Sequence, residues 1–178
     1  MENIIFCSYP FQVLVAKEVV QTVSEDFIGI YLKMSNDARQ TFYAERMAEF
    51  CKEVIVLEGK TVLNDIQDAL KDRFIRNIYL ASLDNPVALS IFNPSTMNLY
   101  TFDDGSTSIV PLNLYTQNLE RGIPYTNFTL REVMSLSNRH YTVFEDCILF
   151  PKEKQVFLKL HLEPSHFHRA KNGKKISV

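Results

Sequence analysis

The sequence predicts an α/β fold in which a parallel sheet carries helices on both faces. Three observations point there. Short apolar runs, such as residues 3–7 and 78–83, end at polar breaks, the pattern of strands buried on both sides. Segments with helical spacing alternate with those runs, as parallel strands require for their crossovers. The run 99–102 stops at Asp103-Asp104-Gly105, so a strand delivers a paired acid to a tight turn.

The elements follow in order. Residues 3–7 read as the first strand. Ser8-Tyr9-Pro10 breaks it: Ser8 suits a helix cap and Pro10 a first helical turn. Val13, Leu14, Ala16, Val19, Val20 and Val23 then recur at helical spacing. Residues 27–32 read as a second strand, and 36–50 as an amphipathic helix with Phe42, Met47 and Phe50 inward. A third strand takes 54–57, a helix from Thr61 or Asn64 runs to Arg73, and a fourth strand takes 76–80. Asp84-Asn85-Pro86 opens a short helix ending near Phe92, and 97–102 is a fifth strand. Beyond Ser106 the pattern weakens. Residues 111–126 read as a loop, and 127–135 as a helix capped by Thr126 or Asn127 with Glu132 in its interior. Residues 139–144 and 155–162 are extended, with no order in the sheet assigned.

The 178 residues, 46% of them hydrophobic, suit one core that buries roughly 70% of the unfolded surface. A net charge of -2 carries no basic stripe, so nucleic acid is not an expected partner. Cys7, Cys51 and Cys147 are odd in number, far apart and without a CxxC pair, so the chain reads as reduced and cytoplasmic. Cys7 reads as core. The start has neither a basic region nor a long apolar one, and no run reaches membrane-span length. Glu163-Pro164 breaks the tail. Residues 165–175 are polar and basic around Gly173, and Ile176-Ser177-Val178 turns apolar. The organisation read is a domain over 1–163, then a linker and the start of a further domain over 164–178; a frayed terminus is the plainer reading.

In an open α/β sheet, ligands gather outside the carboxyl ends of the strands. Asp103 and Asp104 fall at such an end, and Gly105 lets the backbone turn sharply. One carboxylate can accept a proton from a sugar hydroxyl while the other orients it. In the plainer reading one acid caps a turn and the other is solvated. The first strand–helix loop opens on the same edge with Ser8, Tyr9 and Gln12. It lacks the glycine fingerprints of dinucleotide and P-loop sites. Tyr9 suits stacking on a sugar ring and Gln12 suits hydroxyls; capping and packing are the alternatives. His140, beside Asn138 and Arg139, reads as a surface turn. His166 and His168, with His161 and Glu163 upstream, lack the spacing of a known metal site and read as solvated linker. The basic residues Arg169, Lys171, Lys174 and Lys175 suit contact with an anionic membrane surface, or a solvated linker.

With these residues in view, the chain resembles glycosyltransferase family 52, the bacterial lipooligosaccharide sialyltransferases. Residues 3–7 with Gln12, Ala16, Lys17 and Glu18 are similar to the family's opening strand and helix. Residues 78–83 followed by Thr101-Phe102-Asp103-Asp104-Gly105 are similar to its central signature, and 140–144 to a later extended segment. The resemblance implies a GT-B enzyme, two Rossmann-like domains facing a cleft. It implies transfer of sialic acid, with inversion, from CMP-sialic acid to a terminal galactoside of lipooligosaccharide, without a metal or other cofactor. The donor would sit mainly on a C-terminal domain that carries the main catalytic acid and base. This chain would then be the N-terminal, acceptor-side half, inactive alone. Ile176-Ser177-Val178 would begin the next domain. Asp103 and Asp104 become the candidate catalytic residues, with Ser8, Tyr9, Gln12, Ser82, Gly105 and Ser106 binding substrate. A cytoplasmic enzyme, peripheral on the inner membrane, would result, with pairing of two chains left open. The alternatives are a truncated, non-catalytic α/β interaction module that self-associates through a bare apolar face, and a metal-dependent enzyme built from Asp103, Asp104 and histidines.

Overall fold

The computed structural model describes residues 1–59 and 61–163. The predicted linker and apolar ending at 164–178, with His166, His168 and the basic cluster, lie outside the described residues.

Seven strands form one all-parallel sheet: β1 (Glu2–Cys7), β2 (Phe27–Lys33), β3 (Glu53–Glu58), β4 (Ile75–Leu80), β5 (Asn98–Phe102), β6 (Ser137–Thr142) and β7 (Gln155–Phe157). Their spatial order is β3-β2-β1-β4-β5-β6-β7. The helices are α1 (Pro10–Val23), α2 (Ala38–Met47), α3 (Val62–Leu70), α4 (Pro86–Ser90), α5 (Leu114–Gln117) and α6 (Leu130–Leu136). This is a Rossmann-like α/β arrangement. The strand order reverses between β1 and β4, and that switch point leaves a crevice at the carboxyl edge.

The strands divide their side chains between two cores. Ile4, Phe6, Ile78, Leu80 and Leu99 pack with Ile66 of α3, Leu89 of α4 and Val133 of α6. Ile5, Cys7, Tyr31 and Tyr79 face Val15 and Val19 of α1 and Met47 of α2. Right-handed crossovers explain the split: moving outward from β1 to β3 places α1 and α2 on one face, and returning to β4 and beyond uses the other. Cys7, Cys51 and Cys147 are all buried thiols, and burial pushes that of Cys51 up to about 12.

The early elements match the sequence reading within a few residues, and the differences have local causes. Ser8 does not cap α1. Tyr9 is the N-cap residue, and the Gln12 side chain turns back to accept the N–H groups of Ser8 at 2.6 Å and Tyr9 at 3.3 Å. Asp37 caps α2, whose buried positions are Gln40, Tyr43, Ala44 and Met47, while Phe42, and Phe50 beyond the helix, are part-buried and packed against the same core. The α6 cap is Thr129, whose partner Glu132 accepts the Thr129 N–H at 2.7 Å, so Glu132 belongs to a capping box. The stretch read as loop holds α5, capped by Asn113, whose Oδ1 accepts the N–H groups of Tyr115 and Thr116. The two late extended segments become β6 and β7, both parallel.

At the amino-terminal edge, asparagines link successive strands. Asn3, Asn77 and Asn98 stand in register on β1, β4 and β5. The side-chain amides of Asn98 and Asn77 meet at 2.9 Å, and those of Asn77 and Asn3 at 2.8 Å. Asn3 donates to Glu25 at 2.8 Å, and Glu25 also pairs with Arg76 at 2.6 Å.

Gly29 marks the closest approach of β2 to α2. A Cβ there would lie 2.7 Å from the Met47 methyl and 3.1 Å from the Cys51 sulfur. Gly29→Val therefore overfills this core, and urea unfolding should register a loss of about 2 kcal/mol.

Candidate functional site

Four elements bring polar side chains together at the carboxyl edge. Asp104 follows β5, Ser82 follows β4, Gln12 lies in the first turn of α1, and Tyr115 lies on α5. Asp104 Oδ2 accepts from the Ser82 hydroxyl and the Tyr115 phenol, each at 3.0 Å. Its Oδ1 accepts from Gln12 Nε2. The same Gln12 nitrogen reaches Ser82 Oγ at 3.2 Å. Gln12 thus joins the start of α1 to the acid across the switch point. Burial, and then the Asp104 charge, push the Tyr115 pKa well up, so Tyr115 stays a phenol and donates.

Asp103 points the other way and is fully buried. Its Oδ2 accepts the Val143 N–H at 2.7 Å, and its Oδ1 accepts from Ser108 Oγ at 2.5 Å. Its own N–H donates to the Tyr141 carbonyl at 3.2 Å. His140 Nε2 lies 3.2 Å from Oδ1, and Nδ1 lies 3.0 Å from Thr101 Oγ1. The imidazole also stacks on Phe150, centroids 4.4 Å apart. Burial opposes charge on His140, but hydrogen bonds to Asp103 and Cys147 outweigh it, and the pKa is raised above 6.5. Burial likewise opposes a Cys147 thiolate, and the His140 hydrogen bond outweighs it, holding that pKa below the usual thiol value.

The reading of His140 as a surface turn is overturned: the residue is 2% exposed. Its neighbours Asn138 and Arg139 are exposed, as the sequence suggested, but His140 follows the register irregularity between β5 and β6 and opens the buried run His140–Thr142. Adjacent Asp103 and Asp104 divide between interior and crevice.

Of the other candidates, Ser8 is buried and contributes its N–H to Gln12. Tyr9 stands 48% exposed at the mouth of the crevice, outside the Asp104 cluster. Gly105 adopts φ +107°, a conformation that favours glycine, and Ser106 opens the 3-10 turn Ser106–Ser108 that returns Ser108 to Asp103. Tyr115 and Ser108 complete the arrangement without having been singled out, together with Thr101, quoted only within the signature, and His140, read as surface. The Asn113–Thr116 capping spacing was the available signal for α5. His161 is held by Glu18 of α1, Nδ1 to Oε2 at 3.1 Å. Among the described residues no three ligating side chains form a group able to hold a metal.

The model of glycosyltransferase family 52 matches residues 24–160. The chain belongs to glycosyltransferase family 52. The matched segment carries Ser82, Asp103, Asp104, Tyr115 and His140, while Gln12 precedes it. This family 52 chain is similar to the CMP-N-acetylneuraminate:beta-galactoside alpha-2,3-sialyltransferase of Pasteurella multocida, 25% identical over 160 residues, covering 80% of the chain and 52% of that protein. It is also similar to the N-acetyllactosaminide alpha-2,3-sialyltransferase of Haemophilus influenzae, 26% identical over 161 residues, covering 80% and 53%. The chain spans about half the length of these relatives. Among the described residues of this family 52 chain no helix is long and apolar enough to cross a membrane.

Two outcomes follow from the division of the acids. Asp103→Ala strips the acceptor from Ser108, His140 and the Val143 N–H, and should cost about 3 kcal/mol in urea unfolding. Asp104→Asn, which keeps one carbonyl oxygen in the crevice, should cost under about 1 kcal/mol in the same assay. His140 adds a pH dependence. Its pKa is raised on folding, so its contribution is complete below pH 6.5 and is lost as pH rises through the folded value. The stability gap between the wild type and His140→Gln should shrink on that alkaline side, read as unfolding midpoints across pH.

Proposed function

We propose that this family 52 chain is the acceptor-side, N-terminal domain of a GT-B sialyltransferase that moves sialic acid from CMP-sialic acid to a terminal galactoside of lipooligosaccharide. The observation that carries the reading is the Asp104 carboxylate, held by Gln12, Ser82 and Tyr115 where the strand order reverses. Hydroxyls of a sugar match this cluster of donors and acceptors, and the exposed ring of Tyr9 offers a flat apolar face beside it. The names of the two relatives carry the donor and the galactoside.

Asp104 serves here to orient the acceptor. Two of its three donors sit on Oδ2 and one on Oδ1, so Oδ1 keeps a lone pair for an incoming hydroxyl. Sialyl transfer also needs stabilisation of the departing CMP phosphate. The partners of Asp104 named above are neutral donors, so this reading gives the donor side to a further domain. A lip beside the crevice fits such a partner. Residues 105–119 hold no charged side chain, and Leu112 and Leu114 are 78% and 51% exposed on it. The reading has the isolated chain inactive, needs no metal, and puts the enzyme in the cytoplasm beside its lipid-linked acceptor.

Ligand-observed NMR on the 178-residue chain tests it, with lactose and CMP-sialic acid offered separately. Saturation transfer to lactose, lost in Asp104→Ala, with none to CMP-sialic acid, is the expected result. Silence from lactose sinks the acceptor role and favours a non-catalytic module.

A further inference from the structure

On the face of the sheet that carries α1 and α2, α1 reaches as far as β5, where Phe102 is fully buried. Near the amino-terminal edge the same face leaves a hollow of about 420 Å³ over β4 to β6. It lies at the opposite strand ends from Asp104. Its floor is Tyr79, Tyr100 and Tyr141, and its rim carries Arg139 on one side and the Arg76–Glu25 pair on the other. Nothing in the Asp104 cluster uses these residues.

We propose that this hollow binds an acidic oligosaccharide. Tyr79 and Tyr100 stack in parallel, centroids 4.6 Å apart and planes 13° apart. Tyr100 is the part-exposed member of the pair, and an aromatic ring of this kind takes the C–H face of a pyranose. Asn98 is exposed at the rim and can reach hydroxyls. Arg139 is exposed, follows Tyr100 on the neighbouring strand, and has no carboxylate partner among the described residues. Its planar fork suits a carboxylate or phosphate on the sugar. Glu25 would repel such a group, but Arg76 at 2.6 Å counters it, so the acid settles toward Arg139. The volume accommodates one or two sugar rings.

Other occupants fit less well. A peptide strand needs a free sheet edge, and β4, β5 and β6 are all interior. A base has no slot between Tyr79 and Tyr100, which already touch each other. An apolar helix would meet tyrosine hydroxyls, asparagine and arginine.

The test is a titration of the ¹⁵N-labelled chain with α-1,4-digalacturonate, and separately with neutral lactose. Digalacturonate should shift the amides of Tyr79, Tyr100 and Arg139. Arg139→Ala should weaken that binding about tenfold, as should loss of the acid in lactose, while Asp104→Asn leaves it unchanged. Arg139 is exposed, and the variant's own spectrum reports that it folds. Absence of these shifts, equal binding of lactose at the hollow, or unchanged affinity in Arg139→Ala each overturns the proposal. Digalacturonate shifts confined to Gln12, Ser82 and Asp104 would overturn it too, and would leave the galactoside reading standing.

Discussion

The buried carboxylate of Asp103 is the constraint on which the carboxyl edge depends. It gathers the Val143 N–H, Ser108 Oγ and His140 Nε2 within 3.2 Å, while its own N–H donates to Tyr141. These contacts tie the end of β5 to β6 and to the 3-10 turn beyond Gly105. A charge removed from water demands such compensation, and a partly satisfied group would be costly. Because both oxygens of Asp103 are engaged, the start of the next residue's backbone is held. Asp104 can then meet partners from α1, the β4 end and α5.

The two ends of the sheet solve different problems with similar residue types. At the carboxyl edge, polar side chains converge on one carboxylate from four separate elements. At the amino edge, asparagines run along the sheet, one per strand, from Asn98 through Asn77 and Asn3 to Glu25. A ladder of this kind favours one register over a slip, since shifting any strand would turn its asparagine to the other face. Alignment at one edge therefore supports the placement of side chains at the other.

Much of the first half was legible because period and punctuation agreed there. The runs ending at Cys7, Leu80 and Phe102 are apolar on both faces, and Pro10 and Pro86 mark helix starts. The second half was harder for physical reasons. Helix α5 has four residues, too few to show periodicity, and its signal was a cap at Asn113. Strand β6 is rich in polar residues because its inward side chains serve a buried network. Composition alone therefore placed His140 at the surface. The family resemblance located the Asp103-Asp104-Gly105 signature, and the family match covers it. Which acid faces inward depends on where the pleat of β5 ends, and a pair of identical neighbours carries no trace of that. Tyr115 was invisible for a related reason: it reaches Asp104 through the fold of a loop.

The inward turn of Asp103 also shapes the long-range field at the crevice mouth. The sequence writes two negative charges side by side, yet only one is presented outward. The other sits beside an imidazole whose proton is favoured, so the interior pair tends toward neutrality when seen from outside. An anionic ligand approaching the carboxyl edge is then opposed by a single carboxylate, itself ringed by donor dipoles, over the roughly 8 Å at which screening becomes effective. An acid-rich motif and a tolerable approach path for a phosphate-bearing molecule can therefore share one edge of the sheet.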